Sequence, residues 1–148
     1  MTQKYIKNAQ ATKGASHYIQ KVQDALVSHG AVGIQMMFDG EGRISAISFA
    51  LPSPGGNDNM AFQLPCQWRK FQEVLKQQDF RRWDEDEYCY KVAWANIKDW
   101  VEAQMALYET EMVTMPQVFL PFATTKDGRT LSEVIHDSPE RLLGGPQS

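Results

Sequence analysis

The sequence predicts an α+β domain: a three-stranded antiparallel sheet packed against one long amphipathic helix and two or three shorter helices. Three observations carry this. Tyr90, Trp94, Ile97, Val101, Met105, Tyr108 and Met112 recur at steps of three and four, one face of a long helix. Between Val32 and Leu64 the apolar period falls to two, the alternation of half-buried strands. Helical spacing returns on both sides of that stretch.

Met1 to Gly14 is polar and reads as a flexible N-terminal arm. Ser16 is placed to cap a first helix, His17 to His29, with Tyr18, Ile19, Val22, Ala25 and Leu26 on one face and Gly30 as its stop. Val32, Ile34, Met36 and Phe38 then alternate, Asp39-Gly40-Glu41-Gly42 supplies hairpin chemistry, and a return strand runs from about Arg43 to Leu51. Pro52 to Asn59 is loop, and Met60, Phe62 and Leu64 form a short third strand that Pro65 ends. A meander is the simplest topology for these strands.

A helix over Gln67 to Gln77 places Trp68, Phe71, Val74 and Leu75 on one side. The charged connector Asp79 to Glu87 leads into the long helix, about Asp86 to Glu111, whose broad face suits packing across a sheet or between helices. Beyond it lie Pro116, the run Val118 to Phe122 and the turn Asp127-Gly128. Thr130-Leu131-Ser132-Glu133 matches a capping box for a short last helix ending by His136 or Asp137. The domain therefore spans residues 15–137, and 138–148 reads as a flexible tail.

The chain has 148 residues, 43% hydrophobic and 22% charged, enough for one domain with a real core. Its formal charge of -3 neither demands nor excludes a polyanionic partner, because a local patch departs from the sum. Met1 to Lys13 lacks the pattern of a signal peptide, and no apolar run has the length of a membrane span. The expectation is a cytoplasmic protein with no membrane partner and with reduced thiols at Cys66 and Cys89.

No motif of high chemical specificity is present. The three histidines, His17, His29 and His136, lack ligand spacing, and the two cysteines form no CxxC pair, so no metal site is expected. Cys66 stands at a helix start, where a thiol pKa can fall, yet no acid-base partner accompanies it, and a small buried thiol is the plainer reading. Gly55-Gly56 and Gly144-Gly145 lack the residues of a phosphate loop, and no G-x-S-x-G occurs. We expect no catalytic residues and no cofactor.

The best local constellation lies between Gln67 and Trp83, where aromatic and basic residues interleave. Trp68, Arg69, Lys70, Phe80, Arg81, Arg82 and Trp83 are the candidate nucleic-acid-binding residues, cations for phosphates and rings for bases. With Lys76 the stretch carries five basic residues against Glu73 and Asp79. A second reading stands beside it: Trp68 and Phe71 form a buried helix face, Arg69 and Lys70 its solvated side, and Trp83 a lid on the core. Exposure of Phe80 and Trp83 beside Arg81 and Arg82 separates the two. The acidic run Asp84 to Glu87 lacks the glycine of a calcium loop and fits a helix N-terminus, with Asp84 or Asp86 as cap.

The stretch Lys91 to Leu107, with its Trp100-Val-Glu-Ala-Gln, then Val118-Phe-Leu-Pro-Phe and Asp127-Gly-Arg-Thr, resembles small uncharacterised proteins encoded by phages and prophages. The resemblance covers roughly residues 16 to 135 and implies a viral or mobile-element setting, without functional residues to carry over. The expectation is a non-enzymatic accessory protein that binds single-stranded DNA or RNA in replication or recombination. The alternative is a protein-binding module, such as an inhibitor of a host defence or nucleic-acid enzyme, with a host or phage protein as partner. A homo-oligomer is a further expectation, because the wide apolar face of the long helix invites a second neighbour.

Overall fold

A computed structural model describes residues 4–53 and 58–141 and gives the α+β architecture. The elements run α1 (Ala15–Ser28), β1 (Val32–Phe38), β2 (Ile44–Pro52), β3 (Asn59–Pro65), α2 (Trp68–Gln77), α3 (Asp86–Glu109), α4 (Met115–Phe119) and α5 (Leu131–Asp137). Single 3-10 turns at Leu120–Phe122 and Pro139–Arg141 follow α4 and α5. The glycine pair at 55–56 and the end of the tail, 142–148, lie outside the described residues.

The sheet is the expected meander, in the order β1-β2-β3. Ile47, Phe49 and Leu51 on β2 and Phe62 and Leu64 on β3 are buried, with Phe49 opposite Phe62. On the other face of β2, Ser48 and Ala50 are half-exposed while Ala46 is buried. Gly33, at φ 61°, lies where the register of β1 against β2 shifts, between Val32 and Gln35. Only a residue without Cβ takes that left-handed conformation at no steric cost.

α3 is the axis of the molecule. Tyr90, Trp94, Val101 and Met105 of the expected stripe are buried, but so are Tyr88, Cys89, Val92, Ala93 and Ala95 around the rest of its first half. That half is enclosed because α1 and α2 both pack on α3 while Tyr90 Oη joins the strand, accepting from Ile44 N at 2.8 Å. The first half of the broad face is thus covered within one chain, while Trp100 and Leu107 of the second half stay more than a third exposed. α3 ends at Glu109, two residues early. Glu111 takes φ 65°, and Met112 is left 70% exposed.

Two caps differ from expectation. α1 starts at Ala15, two residues earlier than a Ser16 cap allows, from Gly14. The N-cap of α3 is Glu85, not Asp84 or Asp86, and its side chain makes no capping bond. Asp86 and Glu87 lie in the first turn, where carboxylates complement the helix dipole. The Thr130 box forms as read: Glu133 N donates to Thr130 Oγ1 at 3.2 Å and Thr130 N to Glu133 Oε1 at 3.1 Å. A second box, unread in the sequence, opens α4: Thr114 N donates to Gln117 Oε1 and Gln117 N to Thr114 Oγ1.

The N-terminal segment is the largest departure from expectation. Rather than a flexible arm, it is a strap lying across α2 and α3. Ala9 is buried, and Tyr5, Ile6 and Ala11 pack against the core. Tyr88 Oη donates to the carbonyl of Ala9, Ile6 N to Gln78 Oε1 at 2.8 Å, and Asn96 Nδ2 to the carbonyl of Lys7 at 2.8 Å. Lys7 and Asn8 both donate to the carboxylate of Asp99.

At the other end of α3, His29 ties α1 to Glu109. Its Nε2 lies 2.8 Å from Glu109 Oε1 and its Nδ1 2.7 Å from the carbonyl of Ala25. The Glu109 hydrogen bond raises the imidazole pKa above its ordinary value, against the opposing effect of burial. A raised folded-state pKa stabilises the fold fully below the unfolded value, roughly 6.5, and the gain is lost as pH rises through the folded one. Wild-type protein should therefore lose up to about 1 kcal/mol relative to His29→Gln above that window, since Glu109 is exposed. Urea midpoints of the two proteins at several pH values check this, and parallel curves would refute it.

Candidate nucleic-acid interface

The seven candidate residues do not form one surface. Trp68, first residue of α2, is buried, edge-on to Tyr90 at 6.3 Å, with the Arg43 and Arg69 guanidiniums against its ring at 5.0 and 4.0 Å. Phe80 is 1% exposed. Asp79 takes φ 56°, reversing the chain so that Phe80 N donates back to the carbonyl of Leu75 at 3.0 Å. Its ring then sits beneath Tyr5 of the strap and stacks on Tyr88 at 5.6 Å. Stacking on bases requires a free ring face, which neither residue offers. The stacking roles of Trp68 and Phe80 are corrected accordingly: both are core residues.

Trp83 is half-buried, with the Lys76 ammonium 5.1 Å over its ring. Its carbonyl accepts from Gln72 Nε2 at 3.2 Å, which fixes the connector against α2. Part of the indole remains open, as a lid on the core would be.

The cations divide into three groups. Arg69 donates to Gln72 and to Asp86, the latter at 3.2 Å, beside Arg43, which pairs with Glu87 at 2.9 Å. That side of α2 is neutralised. Lys70 is exposed and faces α5 across a cavity of about 380 Å³, also lined by Gln67, Arg129, Ser132, Glu133, His136 and Asp137. Arg129 is there bonded to Asp137, so the cavity carries both signs of charge.

The third group surrounds Tyr88. The Arg82 guanidinium lies 4.1 Å from its ring centroid and the Lys91 ammonium 4.0 Å, while Arg81 is exposed alongside. Cations favour the electron-rich ring face, so Tyr88 holds two of them together. Arg82 donates through Nε and Nη2 to Glu85 at 2.9 and 2.8 Å, and that bond lowers the Glu85 pKa. The Lys91 pKa is lowered, first by burial and then by the charge of Arg82. The acidic run that follows the arginines in sequence is split in space. Asp86 and Glu87 turn toward Arg69 and Arg43, leaving Glu85 as the carboxylate bonded on the Arg82 side.

Sequence reasoning missed Lys91. The available signal was its i+3 spacing from Tyr88 on a helix, which puts both on one face. The thiols are inert: burial pushes Cys66 up to about 12 and Cys89 up to about 11, so both are protonated at neutral pH. Among the described residues no group of three or more His, Cys, Asp or Glu side chains is placed to hold a metal ion. No helix among them is long and apolar enough to cross a membrane.

No protein-family model, curated protein or solved structure matches the chain.

Proposed function

We propose that this chain is a non-enzymatic phage or prophage accessory protein that binds single-stranded nucleic acid by its phosphates, at Arg81, Arg82 and Lys91. The observation behind this reading is the cation cluster on Tyr88: Arg82 and Lys91 share one ring, Arg81 stands beside them, and Glu85 is the carboxylate bonded there. Like charges held this close are relieved when an anion arrives, which favours phosphate over water. The phage setting rests on the resemblance of the Trp100-Val-Glu-Ala-Gln helix and its following motifs. Trp83, half-open, is the remaining ring for base contact, so sequence preference should be slight.

Fluorescence anisotropy with labelled oligothymidylate and a matching RNA tests this at low salt. Three phosphate contacts predict a slope of log affinity against log salt of about −2 for a single strand. The triple variant Arg81→Ala, Arg82→Ala, Lys91→Ala should bind at least tenfold more weakly, with a flattened slope. Absence of binding by the wild type, or equal binding by the variant, defeats the reading.

A second reading, the protein-binding module, draws on a different observation. With Trp68 and Phe80 in the core, the stacking platform shrinks to one ring, while Val32, Met37, Phe38 and Met112 are exposed. A host or phage protein is then the partner, and binding of oligonucleotide is absent.

A further inference from the structure

We propose that Glu85 is a displaceable latch on the cation cluster: its carboxylate occupies the Arg82 donors that a phosphate needs, and a bound chain of phosphates replaces it. The inference rests on the phosphate-binding reading and names the residue that sets the threshold of that site.

The latch is built from one turn of chain. Glu85 N donates to the carbonyl of Arg82 at 3.1 Å, which holds the two residues side by side. Arg82 then donates through Nε and Nη2 to the two carboxylate oxygens of Glu85, at 2.9 and 2.8 Å. A guanidinium edge grips phosphate by the same pair of parallel hydrogen bonds. While Glu85 is in place, that edge of Arg82 is closed to any other anion.

The carboxylate stands where a ligand would. Its pKa is lowered first by the Arg82 hydrogen bond, against an opposing loss of hydration, and further by the charges of Arg82, Arg81 and Lys91. These are the three cations that bind phosphate in the reading above. Glu85 therefore sits in the field that the phosphates would enter.

Little else holds it there. Asp86 is bonded to Arg69 and Gln72, and Glu87 to Arg43, whereas Arg82 is the one side chain bonded to Glu85 among the described residues. Glu85 is also the N-cap of α3, yet its side chain makes no capping bond. Once displaced, the carboxylate remains at the positive end of that helix, whose first amides lack intrahelical partners. The Arg82 and Glu85 side chains are 41% and 48% exposed, and exposed pairs hold weakly. Release costs little.

What displaces the latch follows from the contacts on offer. A small single anion gains the Arg82 bonds only by breaking the same bonds to Glu85. A chain of phosphates also reaches Arg81 and Lys91, the latter on the same tyrosine ring as Arg82. Glu85 thus imposes one fixed cost on every anion, and a multivalent one outweighs it.

Isothermal titration calorimetry of the full chain with inorganic tripolyphosphate tests this, beside anisotropy with oligothymidylate. Glu85→Gln should tighten tripolyphosphate binding by about threefold to fivefold, the range for releasing an exposed pair. On an Arg82→Ala background the same substitution should change affinity by less than about 1.5-fold, because the latch acts through Arg82. In the wild type, saturation with tripolyphosphate should shift the carbon NMR signal of the Glu85 carboxylate. No gain, an unmoved Glu85 signal, or an equal gain in both backgrounds (the result of a general change of charge) overturns the latch. Absence of tripolyphosphate binding by wild type and Glu85→Gln alike overturns it together with the phosphate site. The expected tripolyphosphate results without oligothymidylate binding support the latch and overturn the nucleic-acid reading alone.

Discussion

Phe119→Ala should cost about 3–5 kcal/mol, the range for deleting a fully buried aromatic ring. Phe119 has no exposed surface and is the point where three parts of the fold meet. Its ring lies 5.1 Å from Phe49 of β2, 6.4 Å from Phe62 of β3 and 5.7 Å from Trp100 of α3. A cavity there is bounded by a sheet and a helix, neither of which collapses easily into it. Domains of this size have only about 5–15 kcal/mol of stability, so the loss is a large share of the whole. At roughly 2–4 °C per kcal/mol, the melting midpoint should fall by about 6–20 °C. Leu120→Ala is the control: the next residue is 46% exposed and should cost under about 1 kcal/mol. Chemical denaturation of the two variants checks the contrast. Equal losses would show that α4 contributes through its backbone rather than through the Phe119 ring.

The position of Phe119 was not legible in the sequence, although the fold class was. Regular elements announce themselves by period: the alternation on β2 and β3 and the steps along α3 each reflect one buried face. α4 is only five residues long, too short for a period, and its one local signal is the Thr114–Gln117 box around Pro116. The aromatic-basic stretch shows the opposite failure. Composition identified Trp68 and Phe80 but says nothing of which way a ring points. That was settled by the Asp79 reversal, which no periodic pattern encodes, and by Tyr5, some 75 residues away in sequence. Arg81 and Lys70 stay exposed because long cationic side chains reach water from almost any surface position. Lys91 is hidden for a related reason: periodicity along α3 marks the buried stripe, and nothing in the spacing of the residues between its apolar positions matches them to the connector before the helix.

Asp99→Ala should release the N-terminal strap, with a loss of about 1–2 kcal/mol after discounting the exposed lysine partner. Partial burial of Asp99 opposes its charge, but hydrogen bonds from Asn8, Lys7 and Lys98 outweigh it and hold the carboxyl well below the usual carboxylate range. A depressed pKa stabilises the fold above the unfolded value, roughly 3.9, and the gain is lost as pH falls through the folded one. The wild type should thus keep its advantage over Asp99→Ala at neutral pH and lose it only in strong acid. The structural consequence is larger than the energy suggests, because the strap covers the stacked rings of Phe80 and Tyr88. Trypsin reads it directly. Lys7 lies in the strap with its carbonyl held by Asn96, so cleavage there should be slow in the wild type and at least tenfold faster in Asp99→Ala. A polar arm free in solution would be cut equally fast in both proteins, and that outcome would remove Asp99 as the anchor. The same release would bare the ring of Phe80 beside Arg81 and Arg82. If the polyanion reading holds, Asp99→Ala should bind single-stranded oligonucleotide more tightly than the wild type, by the added stacking of one ring, about 1–3 kcal/mol at most.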